Sequence, residues 1–276
     1  MDLTNPQDVK TAVQLAGLTA RKGLGQHFLV DRESLEAVVA AGELDPDDTV
    51  LEVGPGLGVM TTTLTQTVRQ VVAVEMDPML VELLERDRPP NLEVIQSDIR
   101  AFDLRHMPPR YKVVANIPYY VTSQLFRLFL ESANRPQLLA LLVQKEVAER
   151  LTAGPGRMSV LALSVQYYGQ PTLLRVVERH KFWPPPKVDS AVIQIRVYDQ
   201  PAFAADRAQL FRLIKAGFGE KRKLLKNSLA GGLNISLEVA DQLVVAAKLG
   251  ATARAQELGL NDWERLYRAA VKAGLL

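Results

Sequence analysis

The sequence contains no cysteine, which excludes a disulfide framework, a zinc site with thiolate ligands and a cysteine nucleophile. Long apolar runs are also missing, because no segment approaches the roughly 20 apolar residues that a membrane-spanning helix needs. Residues 1–17 lack the apolar centre of a secretory signal. Internal repeats and low-complexity segments are absent as well. We therefore expect a cytoplasmic protein that does not bind membranes.

Short apolar stretches alternate with amphipathic helical stretches over the first 200 residues. Strands are predicted at 49–53, 70–75, 92–98, 112–116 and 137–143, with a further alternating edge strand at 191–197. This alternation indicates an α/β fold with a doubly wound, mostly parallel sheet. From residue 201 onwards the pattern is helical only. The sequence therefore predicts two domains, an α/β domain of residues 1–200 and a small all-helical domain of residues 201–276.

A glycine-rich turn follows the first of these strands. The segment from Thr49 to Thr61 runs from an apolar strand into Gly54, Gly56 and Gly58. Glycine lets the backbone turn tightly and approach a ligand without an intervening Cβ. The turn is therefore predicted to hold something small, although similar turns bind dinucleotides or only pack a helix on a sheet.

Three later strands end in a polar side chain, namely Glu75, Asp98 and Asn116. Glu75 follows the glycines by roughly twenty residues, the spacing at which an α/β nucleotide site places a carboxylate on ribose hydroxyls. Ligands of open parallel sheets bind beyond the carboxyl ends of the strands. We therefore expect these three side chains to surround one pocket.

The tetrapeptide Asn116-Ile-Pro-Tyr119 is the most discriminating motif. Pro118 stiffens the backbone just after the fourth strand, so an amide, a carbonyl and an aromatic face can be presented together. This combination suits a planar base that carries an exocyclic amine. It has no role in hydride transfer, which argues against a NAD-dependent enzyme.

With this tetrapeptide the chain resembles the S-adenosylmethionine-dependent methyltransferases, in the branch that methylates the exocyclic amine of adenine. Three further segments narrow the resemblance: Leu24-Gly-Gln-His-Phe-Leu29, Phe182-Trp-Pro-Pro-Pro-Lys-Val-Asp-Ser190 and Phe218-Gly-Glu-Lys-Arg-Lys-Leu-Leu-Lys-Asn227. Together, and in this order, the motifs resemble the ribosomal RNA adenine dimethyltransferases of the small-subunit (16S) type over about residues 20 to 230. The resemblance implies a Rossmann-like methyltransferase domain followed by a helical RNA-binding domain.

The resemblance also implies a reaction and a substrate. S-adenosylmethionine is the expected cofactor, and two adjacent adenosines near the 3′ end of 16S ribosomal RNA are the expected acceptors, each becoming N6,N6-dimethyladenosine. The expected partner is a precursor of the small ribosomal subunit, with a role in its biogenesis. We expect the protein to be a monomer. We also expect it to use no metal, because the sulfonium of the cofactor is already a strong electrophile.

Several cofactor contacts are implied in the same way. Glu75 is expected to hold the ribose hydroxyls, and Asp98 the adenine amine. The family usually has asparagine where this chain has His27, and a histidine can donate or accept a hydrogen bond in a pH-sensitive way. The full set of expected cofactor contacts is His27, Leu29, Gly54, Gly56, Glu75, Asp98, Ile99 and Asn116.

Catalysis is expected to consist of orientation and polarisation. The side-chain oxygen of Asn116 and the carbonyl of Pro118 would accept the two amine hydrogens, which pushes the nitrogen towards pyramidal geometry. Tyr119 and Phe182 would stack on the two faces of the flipped base, and base–aromatic stacking is typically worth ~1–3 kcal/mol per base. No general base is assigned, since the proton can leave to solvent.

Charge is nearly balanced overall, with a formal net charge of +2, so only its distribution is informative. Local clusters of cations are typical of a phosphate-rich partner, although a solvated helix face can look the same. The candidates for contact with RNA are Arg21, Lys22, Lys187, Lys221, Arg222, Lys223 and Lys226.

Two alternatives stay open beside the small-subunit enzyme. One is a macrolide-resistance-type methyltransferase that acts on large-subunit (23S) RNA; the segment 184–190 and the basic residues 221–223 argue against it. The other is a non-catalytic RNA-binding or transcription-factor relative. The complete set of Gly54, Glu75, Asp98 and Asn116 argues against that alternative, because a non-catalytic protein could dispense with cofactor contacts.

Overall fold

The computed structural model describes residues 1–15, 17, 26–86, 88–220 and 223–276. The strands are β1 Phe28–Leu29, β2 Thr49–Val53, β3 Gln70–Glu75, β4 Leu92–Gln96, β5 Lys112–Asn116, β6 Leu138–Gln144, β7 Gly169–Val177, β8 Phe182–Trp183 and β9 Ser190–Val197. The helices are α1 Pro6–Leu15, α2 Arg32–Ala41, α3 Val59–Thr67, α4 Pro78–Arg86, α5 Thr122–Leu130, α6 Lys145–Leu151, α7 Val160–Gln166, α8 Arg207–Phe218, α9 Leu225–Leu233, α10 Leu237–Ala246 and α11 Leu260–Lys272. None of these helices is long and apolar enough to cross a membrane.

Seven strands form one sheet in the order β4-β3-β2-β5-β6-β9-β7. The pairs β3–β4, β2–β3, β2–β5 and β5–β6 are parallel, whereas β6 and β9 run antiparallel. The strand order reverses between β2 and β5, and this point is where open α/β sheets bind ligands. The predicted fold class, a doubly wound and mostly parallel sheet, is confirmed.

The central strands are almost entirely buried, and most of their residues are apolar. All five residues of β2 are buried, as are the first six of β6. Parallel strands need helices on both faces of the sheet. On one face, α2 and α3 supply that cover with Leu35, Val38 and Leu64, which belong to the same apolar cluster as the sheet.

The prediction that residues 191–197 form an edge strand is wrong. β9 lies between β6 and β7, and its first six residues are buried. The polar residue in its pattern, Gln194, is buried because its Nε2 donates hydrogen bonds to the carbonyl of Ala41 at 2.7 Å and to Oε1 of Glu43 at 3.1 Å. β7 is the edge strand at this end of the sheet, with Leu174 and Val176 exposed.

The chain divides into two compact units, residues 1–148 with 170–199, and residues 149–169 with 200–276. The second unit thus contains α7 in addition to the helices α8–α11. Its core is built on Trp263, which is fully buried and stacks on Phe218 with 5.7 Å between ring centroids. The segment 149–169, which the sequence placed in the first domain, packs with Phe203 and the helices that follow.

Candidate active site

A cavity opens at the carboxyl ends of β2, β3, β4 and β5, inside the first unit. Its lining contains most of the residues that the sequence named as cofactor-binding or catalytic. These are His27, Leu29, Gly54, Gly56, Glu75, Asp98, Ile99, Asn116, Pro118 and Tyr119. The structure therefore brings together residues from five separate segments of the chain.

The glycine-rich turn forms one wall of this cavity. Gly54 and Gly56 have φ angles of 65° and 60°, in the left-handed region that favours glycine. A Cβ at Gly54 would meet no atom within 4 Å, whereas one at Gly56 would lie 3.2 Å from the ring of Phe28. The turn leaves space in which a ligand can approach the backbone closely.

Glu75 ends β3 beside this turn and is 8% exposed. Its Oε1 accepts hydrogen bonds from the backbone N–H groups of Met76 at 2.8 Å and Asp77 at 2.9 Å, and Oε2 lies 3.4 Å from the nitrogen of Gly56. Burial raises the pKa of Glu75, and these N–H groups oppose the rise. Backbone N–H groups therefore hold Oε1 firmly, whereas the hydrogen bond to Oε2 is long and weak.

Asp98 lies at the cavity and is paired with Arg100. Its carboxylate accepts hydrogen bonds from the guanidinium of Arg100, at 3.0 Å from Nε and 2.5 Å from Nη2, and caps the turn Ile99–Ala101. The Arg100 guanidinium lowers the pKa of Asp98. Asp98 lies at the cavity as expected, but a contact with an adenine amine would share its oxygens with Arg100.

Asn116 ends β5, and its side-chain nitrogen is already hydrogen-bonded within the protein. Nδ2 donates a hydrogen bond to the backbone carbonyl of His27 at 3.1 Å. Within the described part of the chain, Oδ1 forms no hydrogen bond, so it remains an acceptor at the cavity wall. This orientation is the one that the proposed contact with an amine hydrogen requires.

Tyr119 lies between two partners. Its hydroxyl is 2.6 Å from Oγ of Ser190, and its ring stacks with that of His27 at a centroid distance of 6.0 Å. Nδ1 of His27 is 2.7 Å from the carbonyl oxygen of Pro184. A carbonyl only accepts, so Nδ1 carries the hydrogen in this contact.

Phe182 does not lie where the sequence placed it. It pairs with Leu29 in the two-stranded β1–β8 sheet, its side chain is 2% exposed, and it belongs to the apolar core cluster that contains Leu35 and Val38. A ring buried to this extent presents no face to a flipped base. The stacking role given to Phe182 is therefore corrected to a core role behind Leu29.

The structure describes three of the basic candidates for contact with RNA. Lys187 is exposed, whereas Lys223 pairs with Glu220 at 2.6 Å and Lys226 pairs with Asp241 at 2.7 Å. A phosphate would have to compete with these two carboxylates. The remaining candidates, Arg21, Lys22, Lys221 and Arg222, lie outside the described residues.

Sequence reasoning assigned no role to several residues that the structure places at or near the site. Gln26, Phe28 and Met76 line the cavity. Gln26 and Phe28 belong to the segment Leu24–Leu29, and Met76 follows Glu75 directly, but these positions alone assigned them no role. Glu52, in β2 directly before the glycine-rich turn, is fully buried, and neither of its carboxylate oxygens has a hydrogen-bond partner among the described residues. Burial raises the pKa of Glu52 to about 8, the nearby hydroxyl of Thr61 opposes the rise, and the charge of Glu75 adds to it.

This buried acid makes stability depend on pH. A carboxyl whose pKa is about 8 when folded and 4.5 otherwise binds its proton more tightly in the folded state, so stability falls as pH rises from 4.5 through 8. Each pKa unit is worth about 1.4 kcal/mol. We expect Glu52→Gln, which stays neutral, to have a higher Tm than the wild type at pH 8.5 and a similar Tm at pH 5. A wild-type protein more stable than the variant at pH 8.5 would contradict this assignment.

Comparison with known proteins gives matches that span most of the chain. The family model described as "Ribosomal RNA adenine dimethylase" matches residues 17–267. A "Ribosomal RNA small subunit methyltransferase A" from Dehalococcoides mccartyi is 43% identical over 259 residues, which cover 90% of this chain and 88% of the relative.

Solved structures give matches of the same kind. A dimethyladenosine transferase from Plasmodium falciparum is 25% identical, with a TM-score of 0.75 over 88% of this chain and 97% of that protein. The 23S rRNA methyltransferase ErmE is 28% identical, with a TM-score of 0.71 over 87% of this chain and 98% of that protein. The similarity thus covers both units of the chain and the motifs that line the cavity.

Proposed function

Because the chain belongs to the ribosomal RNA adenine dimethylase family, it is an rRNA adenine dimethyltransferase, and we propose that it acts on small-subunit RNA. Its substrates are two adjacent adenosines near the 3′ end of 16S ribosomal RNA, whose exocyclic N6 atoms each receive two methyl groups. The single observation that carries the proposed reaction is the placement of Asn116, Pro118 and Tyr119 in one cavity with Glu75 and the glycine-rich turn.

The cavity fits S-adenosylmethionine. The open space beside Gly54 accommodates a ligand portion close to the backbone, and the weakly engaged Oε2 of Glu75 is an acceptor suited to ribose hydroxyls. Ile99 supplies an apolar surface for a purine ring. When bound, this cofactor supplies an electrophilic methyl group on its sulfonium, so alignment is the main task left to the protein.

The tetrapeptide 116–119 performs that alignment. Oδ1 of Asn116 and the carbonyl oxygen of Pro118 accept the two hydrogens of the adenine amine. The Pro118 carbonyl also accepts a hydrogen bond from the nitrogen of Val121 at 3.2 Å, and an oxygen with two lone pairs can serve both donors. The amine nitrogen would then direct its lone pair at the methyl group of the bound cofactor. As the new nitrogen–carbon bond formed, the methyl–sulfur bond of the sulfonium would break, and the sulfur would leave as a neutral thioether. One amine proton leaves to solvent after each transfer.

Tyr119 provides the stacking surface for the flipped base. His27 lies against one face of its ring, so the base stacks on the other. Exposed cations such as Lys187 contact the phosphates that flank the target. Residues 201–276 act as the RNA-binding domain. The protein works as a monomer. It acts in the cytoplasm, where its substrate is assembled.

Small-subunit RNA is favoured over large-subunit RNA by the degree of similarity. The 43% identical relative bears the small-subunit name, whereas the 23S methyltransferase of known structure is 28% identical. No observation on this chain favours the 23S substrate or a non-catalytic role.

The test is to incubate the protein with methyl-labelled S-adenosylmethionine and small subunits from cells that lack this modification. Mapping the label should place it on two adjacent adenines near the 3′ end of 16S RNA, with up to four methyl groups per subunit. Intact large subunits serve as the control acceptor. Label found on large-subunit RNA alone would replace this proposal with the 23S alternative, and no label on either RNA would favour the non-catalytic relative.

A further inference from the structure

The hydroxyl of Tyr119 is bound by a residue that does not line the cavity. Ser190 is the first residue of β9, it is 0% exposed, and its Oγ lies 2.6 Å from the Tyr119 hydroxyl. A hydrogen bond of this length between two hydroxyls is short and well formed. Tyr119 is therefore fixed at the far end of its ring as well as at its backbone.

The antiparallel direction of β9 is what brings Ser190 to this place. β6 lies between β5 and β9, and Gln144, the last residue of β6, pairs with Ser190. If β9 ran parallel to its neighbours, its first residue would lie at the opposite edge of the sheet. The Tyr119 side chain instead spans the carboxyl end of β6 and reaches the start of β9.

The backbone around Ser190 is held as well. The carbonyl of Asp189 accepts a hydrogen bond from the nitrogen of Lys145 at 3.0 Å, and its side chain accepts one from the nitrogen of Arg179 at 3.0 Å. These bonds hold the start of β9, and with it the Ser190 hydroxyl, beside Tyr119. Burial raises the pKa of Tyr119, so its hydroxyl stays protonated at neutral pH and keeps the hydrogen bond.

We propose that Ser190 is a positioning residue for methyl transfer, which acts by fixing the Tyr119 hydroxyl and thereby the ring against which the target base stacks. The proposal rests on the proposed function, since it concerns the same base. Ser190 does not line the cavity, so it acts through Tyr119. It sets the plane of the Tyr119 ring from one end, while the ring of His27 supports one face.

A double-mutant cycle with Ser190→Ala and Tyr119→Phe tests this role, because each variant removes one of the two hydroxyls. Each single variant should lower kcat on small subunits about tenfold, as expected for one lost hydrogen bond, with the Kd for S-adenosylmethionine unchanged by calorimetry. The double variant should be no slower than either single variant. Ser34→Ala is the matched control. Ser34 is a buried serine whose hydroxyl donates a hydrogen bond to Asp31 at 2.5 Å, and neither residue lines the cavity. The kcat of this variant should equal that of the wild type.

The Tm of the four cofactor-free proteins gives the second measurement. Because the two hydroxyls are in contact, their single substitutions should lower the Tm in a non-additive way. A purely structural role for Ser190 predicts this non-additive loss of Tm and no loss of kcat. Coupling in Tm with a wild-type kcat in Ser190→Ala would overturn the positioning role, and so would multiplicative losses of kcat. Absence of any transfer by the wild type to small subunits would instead overturn the proposed function.

Discussion

Asn116→Ala is expected to lower kcat by about 10²- to 10³-fold, the usual cost of removing one fixed polar group that acts in the transition state. The variant lacks the oxygen that accepts an amine hydrogen and the nitrogen that bonds to the carbonyl of His27. Asn116 is also an expected cofactor contact, but the ribose is expected at Glu75 and the adenine at Asp98, so neither lost group holds these two parts of the cofactor. The Kd for S-adenosylmethionine, measured by calorimetry, should therefore change by no more than a few-fold.

Asn91→Ala is a matched control for this variant. The Nδ2 of Asn91 donates hydrogen bonds to the carbonyls of Thr65 at 2.8 Å and Val68 at 3.1 Å, which ties α3 to the loop before β4. Its loss should lower the Tm and leave kcat unchanged. An Asn116→Ala protein that loses cofactor affinity and turnover to the same degree would show that Asn116 acts on the cofactor and not on the base.

Glu75→Gln is expected to have the opposite signature, a loss of cofactor affinity of about 10- to 100-fold, as for hydrogen bonds to a charged group. The glutamine oxygen can still accept from the nitrogens of Met76 and Asp77, so the fold of the turn should persist. The second oxygen, which faces Gly56, is replaced by a donor and can no longer accept from a ribose hydroxyl. At saturating cofactor, kcat should stay near the wild-type value.

Glu82→Gln provides the comparison, because Glu82 is an exposed acid paired with Arg86 on α4. Calorimetry should give it a wild-type Kd. If Glu75→Gln binds S-adenosylmethionine as tightly as the wild type, the carboxylate at the end of β3 is not a cofactor contact. A loss of kcat at saturating cofactor would move Glu75 to the base-binding side of the cavity.

The sequence predicted the parts of the site that depend on local patterns. Apolar runs ending in Glu75, Asp98 and Asn116 predict parallel strands, and the carboxyl ends of parallel strands lie at one edge of a sheet. The cavity at that edge follows from those two facts. The resemblance to the rRNA adenine dimethyltransferases is likewise confirmed, because it rested on several motifs in a fixed order.

What the sequence could not predict depends on contacts between distant segments. Phe182 is an aromatic residue in a functional motif, yet its pairing with Leu29 places it in the core. The edge-strand prediction for residues 191–197 was wrong because Gln194 is buried by hydrogen bonds to α2 and the residues after it. The bond between Tyr119 and Ser190 joins residues 71 positions apart, and the direction of β9 that creates it leaves no local signal.

The most direct test of the account is a crystal structure of the protein with S-adenosylmethionine bound. We predict that the methyl group points into the space bordered by Oδ1 of Asn116, the carbonyl of Pro118 and the ring of Tyr119, with the ribose at Glu75. A methyl group that faces away from this tetrapeptide, or a cofactor bound outside the cavity, would contradict the account.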